Sequence, residues 1–315
     1  HTPTNGGGSA IPVYRPPRPP LSGIFNIDKP PGMTSFDVVA AIRKAGKERR
    51  VGHAGTLDPM ATGVLLVAVG SATRVIEYLQ DGVKVYEGVV RLGLTTTTYD
   101  VEGEVTAQAG AEAVAALTRE TVEAALAQFR GEIDQVPPMY SALKREGRPL
   151  YELAREGIEV EREARPVAVH DLSIEAGPAA DPLVFTLAAL VSSGTYIRTL
   201  AADIGSALGG GAHLRNLRRT SVGPFTLDDA VALEAVSPEV VRPMAEAVRH
   251  LAAVAVDAEV AADVAVGKVL ARTRLALAED DPGPWAVVGP TGDLLAVYEP
   301  FRDATAKPAV VLAPR

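Results

Sequence analysis

The chain of 315 residues contains no cysteine. That excludes disulfides, thiolate zinc sites and a cysteine nucleophile, and it fits a reducing compartment. No apolar run approaches the ~18 residues of a membrane span. Residues 1–20 lack the apolar core of a secretory signal, so a cytoplasmic protein is expected. The chain begins with His1, which suggests that the natural start is not included. Nucleotide signatures are missing as well. The run Gly209-Gly-Gly-Ala is not followed by Gly-Lys-Ser/Thr, and there is no dinucleotide fingerprint. The five histidines have no metal-ligand spacing, and no Gly-x-Ser-x-Gly elbow occurs. Neither a metal nor a cofactor is expected.

What is present is ordinary in bulk and uneven in detail. Hydrophobic content of 47% and charged content of 22% suit a globular protein, and the length suits one large and one small domain. Residues 1–22 form a Pro- and Gly-rich leader, expected to be disordered because it cannot bury enough apolar surface to order itself. A main domain is expected over 23–250 and a small β-rich one over 251–315, where composition shifts towards Ala, Val and short strand-like runs. Net charge is −8, yet three clusters are basic: Arg43 to Arg50, Lys144 to Arg148 and His213 to Arg219. Each alone reads as a solvated face; together they suggest a phosphate-tracking surface.

Taken in order, Gly23–Asp28 reads as a strand. Thr34-x-x-Asp37 resembles a capping box opening a helix to about Ala45. Val64–Val69 is a buried strand bounded by Gly63 and Gly70. Ser71–Gln80 reads as helical, Lys84–Leu92 as a strand, and Thr118–Arg130 as an amphipathic helix stopped by Gly131. A polar, Pro/Gly-interrupted excursion spans 131–165, a length that usually marks function. Leu183–Val191 alternates as a strand. A helix follows, with Ile197, Leu200, Ile204 and Leu208 on one face. Trp285–Tyr298 reads as a hairpin around Pro290-Thr-Gly-Asp293.

The groups that could do chemistry are few: Asp58, His53, Tyr86, Tyr196 and Arg198, with Asp28, Lys29 and Asp100 behind them. Asp58 sits on a glycine-rich loop feeding the buried strand, and Pro59 restricts it to extended geometry. A plain Asx turn ahead of a strand would account for it equally. An arginine beside a carboxylate lowers its pKa and keeps it available as a nucleophile. Tyr196 and Arg198 would face one site if their segment is still extended, since i and i+2 share a strand face. No second acid is evident for a glycosidase-type pair. These residues alone lead to a cofactor-free enzyme or an RNA-binding module.

Four stretches together resemble the TruB family of tRNA pseudouridine synthases: Gly23-Ile-Phe-Asn-Ile-Asp-Lys-Pro-Pro-Gly-Met-Thr-Ser35, Gly52-His-Ala-Gly-Thr-Leu-Asp-Pro-Met-Ala-Thr-Gly63, Ser193-Gly-Thr-Tyr-Ile-Arg-Thr199 and Gly211-Ala-His-Leu-Arg-Asn-Leu-Arg-Arg219. The strand with Tyr86 and the stretch Pro137-Pro-Met-Tyr-Ser-Ala-Leu-Lys144 match too, in the family's order from about residue 23 to 230.

The resemblance implies an α+β fold: a mixed, largely antiparallel sheet flanked by helices, with a small C-terminal PUA-like domain. It implies isomerisation of uridine 55 to pseudouridine in the tRNA T-loop by a bacterial-type enzyme. Asp58 matches the nucleophile, Tyr86 the tyrosine stacked on the target base, and Arg198 the partner of the aspartate. Tyr196 and Leu217 match pocket positions, and His53 the histidine that fills space vacated in the loop. Arg50, Lys144 and Arg218 would hold T-arm phosphates, and the 131–165 excursion would clamp the RNA. The partner implied is the T-arm stem-loop, with a monomer acting without an obligate protein partner. A tRNA-folding chaperone without catalysis, or a synthase acting on another RNA, are the alternatives. In 251–315 acids outnumber bases, and the leader has no counterpart in the family pattern.

Overall fold

Val64-Leu-Leu-Val-Ala-Val69 is apolar at every position, which suits a strand covered on both faces. The computed structural model describes residues 21–177, 181–278 and 280–312. Most of the leader read at 1–22 lies outside them. In the structure β1 (Gly23–Lys29) is followed by α1 (Ser35–Gly46), β2 (Val51–Ala54) and β3 (Thr62–Val69), the strand carrying that run. Next come α2 (Ile76–Gln80), β4 (Lys84–Leu92), the hairpin β5 (Leu94–Thr96) and β6 (Val105–Gln108), then α3 (Ala111–Ala115) and α4 (Arg119–Leu126). The central part is β7 (Gly131–Gln135), a small hairpin of β8 (Lys144–Arg145) and β9 (Arg148–Pro149), α5 (Leu150–Arg155), β10 (Arg165–Ala176), β11 (Val184–Val191) and α6 (Ile197–Ala207). The chain continues through β12 (Ala212–Val222), β13 (Phe225–Thr226) and β14 (Val231–Ala232). It closes with β15 (Ala252–Ala255), α7 (Ala258–Ala265), β16 (Leu270–Ala271), β17 (Trp285–Val288), β18 (Leu294–Pro300) and β19 (Thr305–Val311).

Ten strands form one sheet in the order β14-β1-β3-β12-β4-β11-β10-β7, with β2 beside β3 and β13 beside β12. Only β1–β14 and β3–β12 pair in parallel, so the sheet is mixed and largely antiparallel. Alternation along β3 explains its uniform burial. Leu65, Val67 and Val69 enter one core with Val38, Ile42, Leu200 and Ile204 of α1 and α6, while Val64, Leu66 and Ala68 enter another on the opposite face. The second core also contains Ala286, Leu294, Val297 and Val310, so the C-terminal sheet (β15-β17-β18-β19-β16) docks on the back of the large one. Its other face, through Trp285, Val287, Ala296 and Tyr298, packs with Val260 and Val264 of α7.

Local signals set most boundaries. Thr34 caps α1 through the Asp37 amide while Asp37 accepts from the Thr34 amide, a complete capping box. Lys47, rather than Gly46, takes the left-handed position that ends it. The helical reading of Ser71–Gln80 resolves into a 3-10 turn, Gly70–Val75, followed by α2. The helix read as Thr118–Arg130 loses its α geometry after Leu126. Gly131–Gln135 is the edge strand of the sheet, so the polar excursion starts after Gln135.

One close approach sets the position of the site. Gly63 (φ +100°) opens β3 against β12, and a Cβ there would lie 2.1 Å from the Arg219 carbonyl oxygen. Gly63→Ala is therefore expected to lower unfolding free energy by well over ~1 kcal/mol, since both the backbone region and the contact oppose a side chain. Denaturant titration checks this, and an unchanged midpoint would contradict it.

Candidate active site

The loop between β2 and β3 is fastened at alternate residues by three side chains from elsewhere in the chain. Arg219 of β12 donates to the Gly55 carbonyl (3.0 Å) and, through Nε, to the Val64 carbonyl (2.7 Å). Ser35, at the start of α1, accepts from the Leu57 amide (2.8 Å) and donates to the Leu57 carbonyl (3.1 Å). The Lys29 ammonium spans the carbonyls of Pro30, Met33 and Pro59, and the Gly32 amide also donates to Pro59. Between these anchors the Asp58 backbone carbonyl closes a tight turn by accepting from the Ala61 amide. The carboxylate is thus presented by a rigid frame, as a reacting group requires.

Arg198 completes the frame. It is only 4% exposed, and its guanidinium forks onto Asp58: Nε to Oδ2 at 2.7 Å and Nη2 to Oδ1 at 3.0 Å. The remaining donors reach the carbonyls of Thr98 and Tyr140, both at 2.8 Å. One side chain therefore ties together the Asp58 loop, the β5–β6 turn, the excursion after β7 and α6. The bidentate form is the stronger arginine–carboxylate geometry.

Tyr196 and Arg198 do not share an extended segment as expected. Tyr196 is the extended cap of α6, whereas Arg198 lies in the first helical turn. They meet one cavity because Gln135 of β7 grips the cap: its Oε1 accepts from the Tyr196 amide (2.8 Å), and its Nε2 donates to the Tyr196 carbonyl (3.1 Å). Sequence reading missed Gln135, since an isolated glutamine in a polar stretch carries no signal.

Asp58 stands between two compartments. One, of about 310 Å³, is lined by His53, Asp58, Tyr86, Tyr196, Arg198 and Leu217, six of the residues picked from the sequence. Its floor is built by adjacent strands. Arg219 pairs in register with Tyr86 and Leu217 with Gly88, and a bulge between Leu214 and Asn216 lets Leu214 and Leu217 enter the same core despite their odd spacing. The Tyr86 hydroxyl accepts from Arg219 Nη1 at 3.3 Å. The second compartment, about 500 Å³, shares Asp58, Arg198 and His53 and adds Phe36, Asp100, Glu102 and Tyr151.

This second compartment corrects the expectation that no further acid is near. Asp100 is buried, with Oδ2 3.6 Å from Arg198 Nε and Oδ1 held by the Thr98 hydroxyl and the Glu102 amide. In the sequence Asp100 stood only among the secondary candidates, in a turn-rich stretch, Gly93–Gly103, that also holds Glu102. The basic residues fall elsewhere. Arg50 is exposed and 3.6 Å from Glu48, and Lys144 sits on the β8–β9 hairpin beside a separate surface cleft. Arg218 forks onto Asp28 at 3.1 and 2.8 Å. The cluster His213–Arg219 is not one solvated face: His213 and Arg219 are buried and Arg215 is exposed.

Burial dominates the electrostatics. It pushes the Lys29 ammonium down to about 8, against the opposing pull of Asp58. The same cause, reinforced by Arg219, brings Lys84 to about 8 and keeps His53 below the usual imidazole range. Glu102 is raised by burial and then by Asp100 and Asp58, and Tyr196 is raised chiefly by burial. Among the described residues no group of three His, Asp or Glu side chains is arranged to hold a metal.

Comparison with known proteins places this geometry. Residues 43–197 match the model for the TruB family pseudouridylate synthase N-terminal domain, and residues 198–261 that for the tRNA pseudouridylate synthase B C-terminal domain. The chain is similar to a tRNA pseudouridine synthase B of Azoarcus sp. (strain BH72), 47% identical over 261 residues, covering 81% of this chain and 85% of the relative. A protein of the same name from Pseudomonas aeruginosa (strain UCBPP-PA14) is 50% identical over 214 residues, 68% of each chain. Among solved structures, a chain from a Cbf5-Nop10-Gar1 complex superposes with a TM-score of 0.71 at 27% identity, covering 99% of this chain and 93% of that one. A chain of an H/ACA RNP bound to a substrate RNA containing 2′-deoxyuridine gives 0.69 at 27%, covering 93% and 86%.

The Lys29 anchor predicts a pH signature. With a folded pKa of about 8 and an ordinary value of 10.5, the unfolded chain holds a proton that the folded one has released between those limits. Stability should therefore rise with pH across that window by up to about 1 kcal/mol per unit, relative to Lys29→Met. Denaturation of both proteins at pH 8, 9 and 10 measures the difference; a constant gap would show that Lys29 is not desolvated.

Proposed function

Since the chain belongs to the TruB family of pseudouridylate synthases, we propose that it converts uridine 55 in the T-loop of tRNA to pseudouridine, with Asp58 as the nucleophile. The observation that carries this reading is the forked Arg198–Asp58 pair at the junction of two compartments, with the Tyr86 ring forming a wall of one. A uridine inside a folded loop must be extruded before its base can be detached and turned, at a cost of a few kcal/mol. Stacking on Tyr86 offsets about 1–3 kcal/mol of that. His53, lining both compartments and kept neutral by burial, is suited to occupy the space the base leaves.

The reaction is an isomerisation. The N1–C1′ bond breaks, the base turns, a C5–C1′ bond forms, the C5 proton is released and N1 gains one. Nothing is oxidised or reduced, so these residues need no redox cofactor for the overall balance. Arg198 orients the Asp58 carboxylate through its fork, as a carboxylate nucleophile requires. The curated relatives are named for tRNA and are nearer in sequence than the solved chains, which favours tRNA over other RNAs. A chaperone without catalysis needs neither Asp58 nor its fork. We assign the T-arm stem-loop as the substrate and a cytoplasmic monomer as the acting form.

Asp58→Asn should retain RNA affinity and lose turnover by about 10⁴-fold or more. Tritium release from C5 of a labelled T-arm stem-loop measures it, and release near the unmutated rate removes Asp58 from this role. For the phosphate contacts, Arg50→Ala should reduce the salt slope of binding by nearly one, as for a lost phosphate contact. Arg218→Ala should reduce it less, because Asp28 already neutralises that guanidinium. Equal slopes for the two variants would contradict this assignment.

A further inference from the structure

Two cations on the floor of the smaller compartment are not used by the Asp58–Arg198 fork. Lys84 and Tyr86 are two residues apart on β4 and so face the same way, and Arg219 pairs in register with Tyr86. All three line the compartment that Asp58 and Tyr196 also line. Lys84 is 5% exposed and Arg219 1%. Neither is in an ion pair among the described residues, which is a costly state for two neighbouring buried charges. Lys84 Nζ donates to the carbonyls of Gln80 (2.8 Å) and Gly82 (2.9 Å), which leaves one of its three N–H groups uncommitted. Arg219 is spent on the Gly55, Thr56 and Val64 carbonyls and the Tyr86 hydroxyl, so it contributes field more than donors.

We propose that Lys84, backed by Arg219, forms an anion site that receives an anionic oxygen of the nucleotide bound against Tyr86. The inference rests on the pseudouridylation reading. When the N1–C1′ bond breaks, its electron pair leaves with the base, and the charge of the uracil monoanion spreads from N1 to O2 and O4. Forming the C5–C1′ bond and exchanging the C5 proton for one on N1 then restores the neutral base. A preformed cation at the pocket floor stabilises that charge without reorganisation at the moment of reaction. A phosphate oxygen flanking the extruded uridine presents the same chemistry to the same group.

The test uses the full chain in excess over a T-arm stem-loop tritiated at C5, with single-turnover rate and binding affinity measured separately. If the site holds the base oxygen, Lys84→Met slows the single turnover about 100-fold, the effect of one lost oxyanion donor, at unchanged affinity. Lys84→Arg should recover most of it. If the site holds phosphate, Lys84→Met weakens binding instead, and the loss vanishes on a stem-loop with a methylphosphonate 5′ to the target uridine. Unchanged rate and affinity in folded Lys84→Met overturn the proposal. Should that variant not fold, the unmutated protein is tested on the methylphosphonate stem-loop and on one with 4-thiouridine at the target; normal rate and affinity on both overturn it equally. No release from the ordinary stem-loop by the unmutated protein would mark failure of the pseudouridylation reading. The anion site would then be judged by affinity alone, weaker binding of Lys84→Met supporting it and equal binding overturning it.

Discussion

The fork between Arg198 and Asp58 is the constraint on which the arrangement turns. A guanidinium has five N–H donors in a fixed plane, and from α6 they reach three separate pieces of chain: Asp58, the β5–β6 turn through Thr98, and the excursion after β7 through Tyr140. Lysine could not replace the fork, because a point charge fixes a distance and not a plane. Removing either partner would leave the other charged and poorly compensated, so fold and site share one dependence.

The support beneath the fork shows why the neighbouring residues are what they are. The Asp58 loop contributes backbone carbonyls that no strand partner satisfies, at Gly55, Leu57 and Pro59. Buried carbonyls need donors, and Arg219, Ser35 and Lys29 supply them from β12, α1 and β1. Those three elements are neighbours of β3 in the sheet or pack upon it, so the loop is held by the same layer that carries the core. The cost is a set of buried charges that a purely structural loop would avoid.

How far the chain could be read in advance follows from the range of each interaction. The capping box at Thr34 and Asp37, the doubly buried run Val64–Val69 and the hairpin around Pro290–Asp293 are local patterns, and the structure shows each as read. The sheet order, the docking of the C-terminal strands on the back of β1 and β3, and the edge-strand role of Gly131–Gln135 depend on pairings far apart in sequence, which periodicity does not encode. In the site, Asp58, Tyr86, Tyr196, Arg198 and His53 stood out as the few reactive groups, motif resemblance gave them roles and added Leu217, and all six line one compartment. Gln135 escaped, while Asp100 and Arg219 were named without their roles, because those roles are relational: a glutamine gripping a cap, an acid behind an arginine, and a cation hidden in a cluster that looked solvated. As members of one basic cluster, Arg218 and Arg219 look alike in the sequence. Strand alternation sends one to Asp28 and the other into the core.

Charge balance around the carboxylate gives the site its direction. Arg198, Arg219, Lys29 and Lys84 are buried cations within or bordering the Asp58 frame, against Asp58 itself and the buried Asp100. With the lysines protonated, as they are below about pH 8, positive charge exceeds negative in a region of low dielectric. For a protein of net charge −8 this is a local inversion, and a neutral ligand would gain nothing from it. A polyanion does gain, because the field that is costly in the empty site becomes an attraction once phosphates and a reacting base enter it. Glu102, which lines the second compartment, is pushed towards protonation by burial and its acidic neighbours. Asp58, by contrast, is held in a fixed plane by the Arg198 fork.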